Sequence, residues 1–158
     1  FLSLALNCNA NEVEGLVIGG HGDTTMIPLT RLATYKGVPV STLLSAEKLE
    51  EVAKATMVGG ATLTGLLGTS AWMAPGAAAS FLVESIIKNQ GKLIVCAASC
   101  EGEYGMKDIM IGVPCIIGKN GIEKIVEFEL NADEKAKLAA SEAAVRGTNA
   151  VLYAEGIL

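Results

Sequence analysis

A hairpin signal near the C-terminal end constrains the fold of this chain more than any other feature of its sequence. Residues 109–117 form an apolar run of strand length, and Asn120-Gly121 separates this run from the segment IEKIVEFEL. An Asn-Gly pair favours the tight turn that joins two antiparallel strands. Apolar residues then alternate with glutamates over positions 126–130, which is typical of a strand with one buried side and one side facing water. The pattern predicts an antiparallel sheet in this part of the chain.

Short apolar runs bounded by turn residues predict further extended segments. These segments are residues 16–18, 26–29, 38–40 and 92–98. The first runs directly into a glycine pair, and the third follows a Lys-Gly turn at positions 36–37. Most of the predicted strands are therefore short and separated by tight turns.

Helices are predicted from capping residues and from apolar spacing. Ser45 is suited to N-cap a helix that bends at the glycine pair 59–60 and resumes through Leu67. The Pro-Gly pair at 75–76 predicts a break, after which another helix runs to the Gln-Gly pair at 90–91. Three helical segments are therefore expected between the first and second groups of strands.

Two more helices are expected at the ends of the chain. Residues 1–6 look like the end of a helix that the Asn-rich segment NCNAN stops. Asn131 with Glu134 three residues later resembles a capping box, opening a helix through Val145 that Gly147 terminates. The sum is an α+β fold, with helices packed on an antiparallel sheet, in one domain over residues 1–158.

Composition excludes several classes of protein. The chain is 51% hydrophobic and 18% charged, which is typical of a globular protein, and its net charge of -5 gives no basic surface for nucleic acid. Its most apolar stretch, residues 71–83, is interrupted by Pro75 and is far shorter than the roughly 20 residues of a membrane helix. We therefore expect neither a nucleic-acid partner nor a membrane span.

The four cysteines indicate a reducing compartment. They are too sparse for a disulfide scaffold, and we expect Cys96, Cys100 and Cys115, which lie in apolar strand contexts, to be buried packing residues. The spacing of Cys96 and Cys100 and the presence of a single histidine do not fit a zinc site. No metal ligands are assigned.

The single histidine of the chain, His21, lies in the segment GGHGDTT. Imidazole gains or loses a proton close to neutral pH, and flanking glycines leave room for a substrate beside the backbone. Residue type alone leaves two interpretations open, a core histidine satisfied by hydrogen bonds or an acid–base group. No glycine-rich nucleotide-binding motif occurs in the chain.

Several motifs, in order along the chain, carry a resemblance to a known family. They are VIGGHGDTTMIPLTR, GVPV, GTSAWMAPGAAA and CAASCEGEYGMKDIMIGVPCIIGKNGIEKIVEFEL. Together they resemble the C-terminal half of the lactate/malate dehydrogenase family over nearly the whole chain. The segments MAPGAAA and KDIMIGVPCIIGKNG are more similar to the malate branch, and the lactate branch is the alternative.

The resemblance implies an NAD-dependent oxidoreductase acting on a small 2-hydroxy or 2-keto dicarboxylate. His21 matches the histidine that exchanges the hydroxyl proton of the substrate, and Ser70 matches a position on the substrate side of the cleft. The orienting aspartate and the substrate-binding arginines belong to the other half in this family. Asp23 is therefore interpreted as structural, fixing the turn by bonding backbone amides. No cofactor-binding residue is assigned in this half.

The expected partner of the chain is an N-terminal NAD-binding Rossmann domain. The chain opens inside an apolar segment without an initiator Met, so we expect a piece of a longer, cytoplasmic enzyme that is inactive by itself. An apolar patch near His21 is expected to be exposed, and homo-oligomers are expected. A structural or assembly domain without a site of its own is the alternative from another functional class.

Overall fold

Helices and antiparallel strands alternate along the chain in the computed structural model, which describes residues 1–157. The strands are β1 (Val13–Glu14), β2 (Val17–Gly19), β3 (Met26–Pro28), β4 (Thr34–Tyr35), β5 (Val38–Pro39), β6 (Lys92–Glu101), β7 (Lys107–Gly118) and β8 (Gly121–Ile125). The helices are α1 (Leu2–Leu6), α2 (Ala46–Met57), α3 (Gly59–Leu67), α4 (Met73–Ile87) and α5 (Ala132–Ala154). The predicted α+β class is confirmed.

The larger sheet has five strands, with β7 at its centre. β6 pairs with β7 along one edge, whereas β8 and β2 both pair with its other edge. The contact with β2 is a single bridge between Gly19 and Gly112, and β3 pairs with the outer edge of β2. All these pairings are antiparallel, as the sequence predicts.

The predicted hairpin joins β7 to β8. Gly118 pairs with Gly121, and Gly121 has a φ of 88°, a left-handed conformation that glycine adopts without steric cost. The prediction of a strand through Leu130 is wrong beyond Ile125, where β8 ends. The next residues instead bond the hydroxyl of Tyr104, which accepts from Phe128 N at 2.9 Å. Burial still alternates there, because the extended segment lies against the core.

The main core lies on one face of the larger sheet. Its fully buried side chains include Ile18, Ile111, Val113 and Ile117, and α5 contributes Leu138. The alternating residues of β7 thus meet the apolar face of α5. A smaller cluster of Ala33, Val40 and Leu49 joins the second, three-stranded sheet (β1, β4 and β5) to α2.

Two of the three cysteines predicted to be buried packing residues are buried. Cys100 and Cys115 are fully buried, as predicted, whereas Cys96 is only partly buried. Burial raises the pKa of the Cys115 thiol to about 12, and that of Cys100 is raised for the same reason. Both thiols are therefore protonated at neutral pH and are poor nucleophiles.

Helix α2 begins as predicted, but the next break is displaced. The side chain of Ser45 accepts a hydrogen bond from Lys48 N, and the predicted bend is an interruption at Val58, directly before Gly59. The predicted break at Pro75-Gly76 is wrong, since both residues lie in the first turn of α4. Proline is tolerated there because first-turn amides have no intrahelical acceptor. The break lies instead at residues 68–72.

Helix α5 begins as predicted and ends later than predicted. Asn131 and Glu134 form the expected capping box, with both hydrogen bonds at 2.9 Å. Gly147 does not terminate the helix, which continues to Ala154. One glycine costs a helix only about 1 kcal/mol relative to alanine, and the alanines at positions 143, 144 and 150 favour the helix on both sides.

Helices α3 and α4 present large apolar side chains to solvent. Leu66 and Met73 are 81% and 82% exposed, and Trp72 between the helices is 72% exposed. Large apolar side chains are therefore exposed on these helices, and the expected apolar patch near His21 stays a prediction. Among residues 1–157, no helix combines the length and apolar character needed to cross a membrane.

Candidate active site

His21 lies on the loop between β2 and β3, which we call the histidine loop (residues 20–25). The carbonyl of Gly22 accepts hydrogen bonds from Thr25 N at 2.9 Å and Met26 N at 3.1 Å. The hydroxyl of Thr25 in turn accepts from Gly22 N at 2.8 Å. The loop is therefore a compact turn that presents an exposed imidazole at its tip.

Glycines allow the backbone to enter this loop. Gly19 has a φ of 94°, and a Cβ there would lie only 2.8 Å from Ser141 Oγ. A Cβ on Gly112 would lie 2.6 Å from the carbonyl oxygen of Gly19. These two positions require glycine because β2, β7 and α5 approach each other too closely for a side chain.

Ser141 of α5 bonds both ends of the histidine loop. Its hydroxyl accepts a hydrogen bond from Gly20 N at 2.8 Å and donates one to the carbonyl of Thr25, also at 2.8 Å. The residue is only 2% exposed. Sequence reasoning missed Ser141, although one signal was available. It lies seven residues after Glu134 and three after Leu138, so it is a polar residue on the buried stripe of α5.

A cleft of about 800 Å³ opens beside His21. His21, Asp23 and Met26 line one wall, and the opposite wall comes from α2, α3, α4 and the segment before α4. The residues of that wall are Thr56, Gly60, Ala61, Leu63, Thr64, Ala71, Ala74, Pro75 and Ala78. Their small side chains leave the cleft wide, and His21 and Asp23 are the titratable groups of its described lining.

Of the other two residues singled out in the sequence, Asp23 lines the cleft and Ser70 does not. Ser70 is exposed in the connection between α3 and α4, and its neighbour Ala71, not Ser70 itself, belongs to the described lining of the cleft. Asp23 was expected to fix the turn, and this is wrong. Within residues 1–157 its carboxylate has no hydrogen bond, and Thr25 bonds the backbone amide of Gly22 instead. The two candidates that share the cleft are therefore His21 and Asp23.

An ion pair fixes the start of α5 beneath the site. Arg31 Nη2 lies 3.0 Å from Glu134 Oε2, and Arg31 Nε donates to the other carboxylate oxygen at 3.2 Å. These hydrogen bonds lower the pKa of Glu134, although burial opposes them. The carboxylate therefore stays charged, and α5 is anchored to the segment that follows β3.

The described residues hold no obvious metal site. Nowhere in residues 1–157 do three His, Cys, Asp or Glu side chains come together to hold a metal ion. Neither arginine of the chain reaches the described cleft lining, because Arg31 bonds Glu134 and Arg146 bonds Glu142 at 2.7 Å. What this chain brings to the cleft is one imidazole and one carboxylate in an otherwise mostly apolar surface.

Comparisons with known proteins show which family this chain resembles. The family described as lactate/malate dehydrogenase, alpha/beta C-terminal domain, matches residues 1–149. A malate dehydrogenase of Bacteroides fragilis is 74% identical over 158 residues, which cover all of this chain and 50% of that protein. The chain thus spans about half the length of the curated relatives it matches.

Solved structures share the fold over nearly the whole chain. The malate dehydrogenase of Salinibacter ruber has a TM-score of 0.92 at 42% identity, covering 99% of this chain and 52% of that one. A lactate dehydrogenase of Cryptosporidium parvum, complexed with lactic acid and nicotinamide adenine dinucleotide, has a TM-score of 0.90 at 36% identity. The match covers 96% of this chain and 49% of that one.

Proposed function

Because this chain belongs to the lactate/malate dehydrogenase family, as its alpha/beta C-terminal domain, we propose that it forms the substrate domain of an NAD-dependent malate dehydrogenase. The observation that carries the proposal is the position of His21. Its imidazole is exposed at the edge of a cleft of about 800 Å³, on a loop held at both ends by one buried hydroxyl.

His21 is proposed to exchange the proton of the substrate hydroxyl. When malate is oxidised to oxaloacetate, the hydroxyl O–H bond breaks and its proton passes to the imidazole, while the C2–H bond breaks with its electron pair. Bound NAD supplies the acceptor for that hydride. In the reverse direction the imidazolium returns the proton to the carbonyl oxygen. Imidazole suits both directions because it changes charge near neutral pH.

The walls of the cleft are suited to a flat ring and a small acid. Gly60, Ala61, Ala71, Ala74 and Ala78 contribute little side-chain volume, so the cleft remains open opposite His21. Such a mostly apolar lining with few polar groups is typical of cofactor and small-molecule sites. Ser70, the neighbour of Ala71 in the lining, is proposed to bond a substrate carboxylate.

The charge of the cleft supports a requirement for a second half. A dicarboxylate needs cationic partners, and the described lining contains no arginine or lysine, whereas it does contain Asp23. We propose that an N-terminal NAD-binding domain supplies these cations together with the cofactor site and the aspartate that orients His21. The isolated chain is then expected to be inactive, because an imidazole without a positioned substrate lacks the effect that drives the step.

The substrate is proposed to be malate because eight curated relatives, at 45% to 74% identity, are malate dehydrogenases. Lactate is the alternative, since lactate dehydrogenases share the fold at 36% identity. Steady-state reduction of oxaloacetate and of pyruvate with NADH separates the two. A higher kcat/KM for pyruvate would assign the lactate activity.

Replacing His21 with asparagine tests the proposal. The experiment uses the assembled enzyme, which we define as this chain joined to the half of the Bacteroides fragilis relative that the chain does not match. We expect kcat/KM for malate to fall by about 1000-fold, because a positioned acid–base group contributes roughly 10² to 10⁴. The thermal unfolding midpoint should change little, since the imidazole is exposed.

Asp23→Asn is the matched control, because Asp23 lines the same cleft two residues away. It should change kcat/KM by less than about fivefold, since no proton transfer passes through it. Turnover that survives His21→Asn, or that Asp23→Asn abolishes equally, would contradict the assignment. Oxidation of malate by the isolated chain with NAD would contradict the requirement for a second half.

Assembly and location complete the proposal. The exposed apolar side chains of α3 and α4 are proposed to contact the NAD-binding half or a second copy of the enzyme, giving a homo-oligomer. A cytoplasmic location is proposed because all four cysteines are free thiols. Light scattering of the assembled enzyme measures its oligomeric state, and fractionation of cells tests the cytoplasmic location.

A further inference from the structure

We propose that Ser141 is a positioning residue for His21, acting through the two hydrogen bonds that close the histidine loop. The inference rests on the proposed function, because it concerns where the proton-exchanging imidazole is held. Ser141 does not line the cleft and would touch neither substrate nor cofactor. Its role would be to keep the backbone on each side of His21 in one place.

One oxygen atom, Ser141 Oγ, forms a hydrogen bond with the backbone at each end of the loop. Gly20, directly before His21, donates its amide proton to Ser141 Oγ at 2.8 Å, and the same hydroxyl gives its proton to the carbonyl of Thr25 at 2.8 Å. A hydroxyl is suited to this task because it donates once and accepts on its lone pairs. The Gly20 amide, the Thr25 carbonyl and the Ser141 hydroxyl therefore all have hydrogen-bond partners. Ser141 lies more than 100 positions along the chain from the other two residues.

The helix that carries Ser141 is itself fixed at two points near its start. Asn131 and Glu134 form the capping box, and Glu134 also binds Arg31 at 3.0 Å. Ser141 lies seven residues after Glu134, about two turns or 10 Å along the helix. A side chain on a helix anchored in this way is a more precise support than a side chain on a loop.

The histidine loop and α5 are packed closely around Ser141. Added Cβ atoms at Gly19 and Gly20 would lie 2.8 Å from Ser141 Oγ and 3.1 Å from Val145 Cγ2. The hydroxyl oxygen of Ser141 therefore lies in direct contact with the loop backbone. Removal of the hydroxyl should take this shared partner from Gly20 N–H and Thr25 C=O and loosen both ends of the loop.

The central test is Ser141→Ala in the assembled enzyme. We expect kcat to fall by about 10- to 100-fold, because an ångström of misplacement at a reacting group costs rate of this order. KM for malate should change less than about threefold, because Ser141 supplies no contact to substrate. In the same variant the amide proton of Gly20 should exchange with solvent about tenfold faster, as expected when one hydrogen bond is lost.

Ser85→Ala is the matched control. Ser85 is also a fully buried serine on a helix, and its hydroxyl donates to the carbonyl of Ile117 at 2.8 Å, away from the histidine loop. It should lower the unfolding midpoint about as much as Ser141→Ala does, yet leave kcat within about twofold. Equal losses of kcat in the two variants would reduce Ser141 to an ordinary structural residue and overturn the proposal.

A conservative variant keeps the test decisive if Ser141→Ala does not fold. Ser141→Cys retains a weak donor and acceptor at the same position. Its kcat should lie between those of the parent and the alanine variant, with intermediate exchange of the Gly20 amide. Unchanged kcat and unchanged exchange in this variant would overturn the proposal.

His21→Asn is measured in parallel to separate this inference from the proposed function. If His21→Asn retains turnover, the proposed function fails and the positioning role falls with it. If His21→Asn is inactive while Ser141→Ala keeps its kcat, only the positioning role is wrong. Loss of kcat in both, with Ser85→Ala active, is the expected result.

Discussion

Helix α5 and the pair α3–α4 flank the same histidine loop and cleft, yet they are built in opposite ways. Helix α5 has many charged residues and buries Glu134, Leu138 and Ser141 against the sheet and the loop. Helix α3, all of which is described, buries no residue, and α4, also fully described, buries only Ser85, although both are rich in apolar residues. Within this chain, the more polar helix is the better packed one.

The difference shows which side of the site this chain completes by itself. The loop that carries His21 is fixed from within, through hydrogen bonds and the core beneath α5. On the opposite side, helices α3 and α4 leave side chains such as Leu66 and Met73 more than 80% exposed, a costly arrangement unless another surface covers them. One side of the site is therefore held by residues of this chain, whereas the other leaves apolar side chains open to solvent.

The largest expected difference in the free energy of unfolding comes from replacing a leucine with alanine in α5 and in α3. Leu138→Ala in α5 removes a side chain that is 5% exposed and should lower the free energy of unfolding by about 3 kcal/mol. Leu66→Ala in α3 removes one that is 81% exposed and should change it by less than about 0.5 kcal/mol. Urea unfolding of the chain measures both. Equal losses would abolish the contrast between the two helices.

An intermediate effect is expected from the ion pairs of the two regions. Glu134→Gln breaks the pair between Glu134 and Arg31 at the start of α5 and should cost about 2 kcal/mol at neutral pH. Glu84→Gln breaks the exposed Glu84–Lys88 pair of α4 and should leave the unfolding midpoint nearly unchanged. Thermal unfolding at neutral pH measures this difference.

The effect of Glu134→Gln should also depend on pH. Hydrogen bonds from Arg31 lower the pKa of Glu134 below the ordinary value of 4.5. The stabilisation is therefore fully present above that value and is lost as the pH falls through the lowered pKa of the folded state. The parent and Glu134→Gln should converge in stability in acid. A gap that widens below pH 4.5 would contradict the ion-pair explanation.

The smallest expected effect concerns one exposed glycine in each region. A Cβ at Gly147 of α5 or at Gly60 of α3 would meet nothing within 4 Å, so alanine at either should stabilise the chain by about 0.5 to 1 kcal/mol. Gly60 also lines the cleft, so in the assembled enzyme Gly60→Ala should in addition raise KM, whereas Gly147→Ala should not. Equal KM values would indicate that the cleft wall at Gly60 does not face the substrate.

Local signals predicted the elements well wherever neighbouring residues decide the outcome. Ser45 caps α2, Asn131 and Glu134 form their capping box, and the Asn-Gly turn joins β7 to β8. Such features depend on contacts within four residues. They are therefore visible in the order of the residues alone.

Errors arose where a local signal has more than one structural solution. A Pro-Gly pair ends a helix or fits its first turn, and here Pro75 does the second. Gly147 is a weak stop signal that the surrounding helix formers outweigh. Asp23 and Thr25 are both able to fix a turn through a side-chain oxygen, and the structure uses Thr25.

The sequence points to His21 as the central residue of the candidate site, but it does not reveal the side chain that supports the loop of His21. His21 follows from the motif and from the resemblance of the chain to its family. The contact between Ser141 and the loop joins residues 121 positions apart, which no local pattern encodes. The volume of the cleft likewise depends on how α3 and α4 lie opposite the loop, which is a property of tertiary packing.

The bridge between Gly19 and Gly112 has a consequence for any future redesign of this protein. This pair is the one bridge that joins β2, the strand leading to His21, to the central strand β7. The two backbones lie so close there that neither residue has room for a side chain. A methyl group at position 112 would act as a wedge between the two backbones, and its displacement would travel along β2 to the imidazole. Mutational libraries should therefore leave position 112 untouched, although it lies in the middle of a sheet and far along the chain from the histidine.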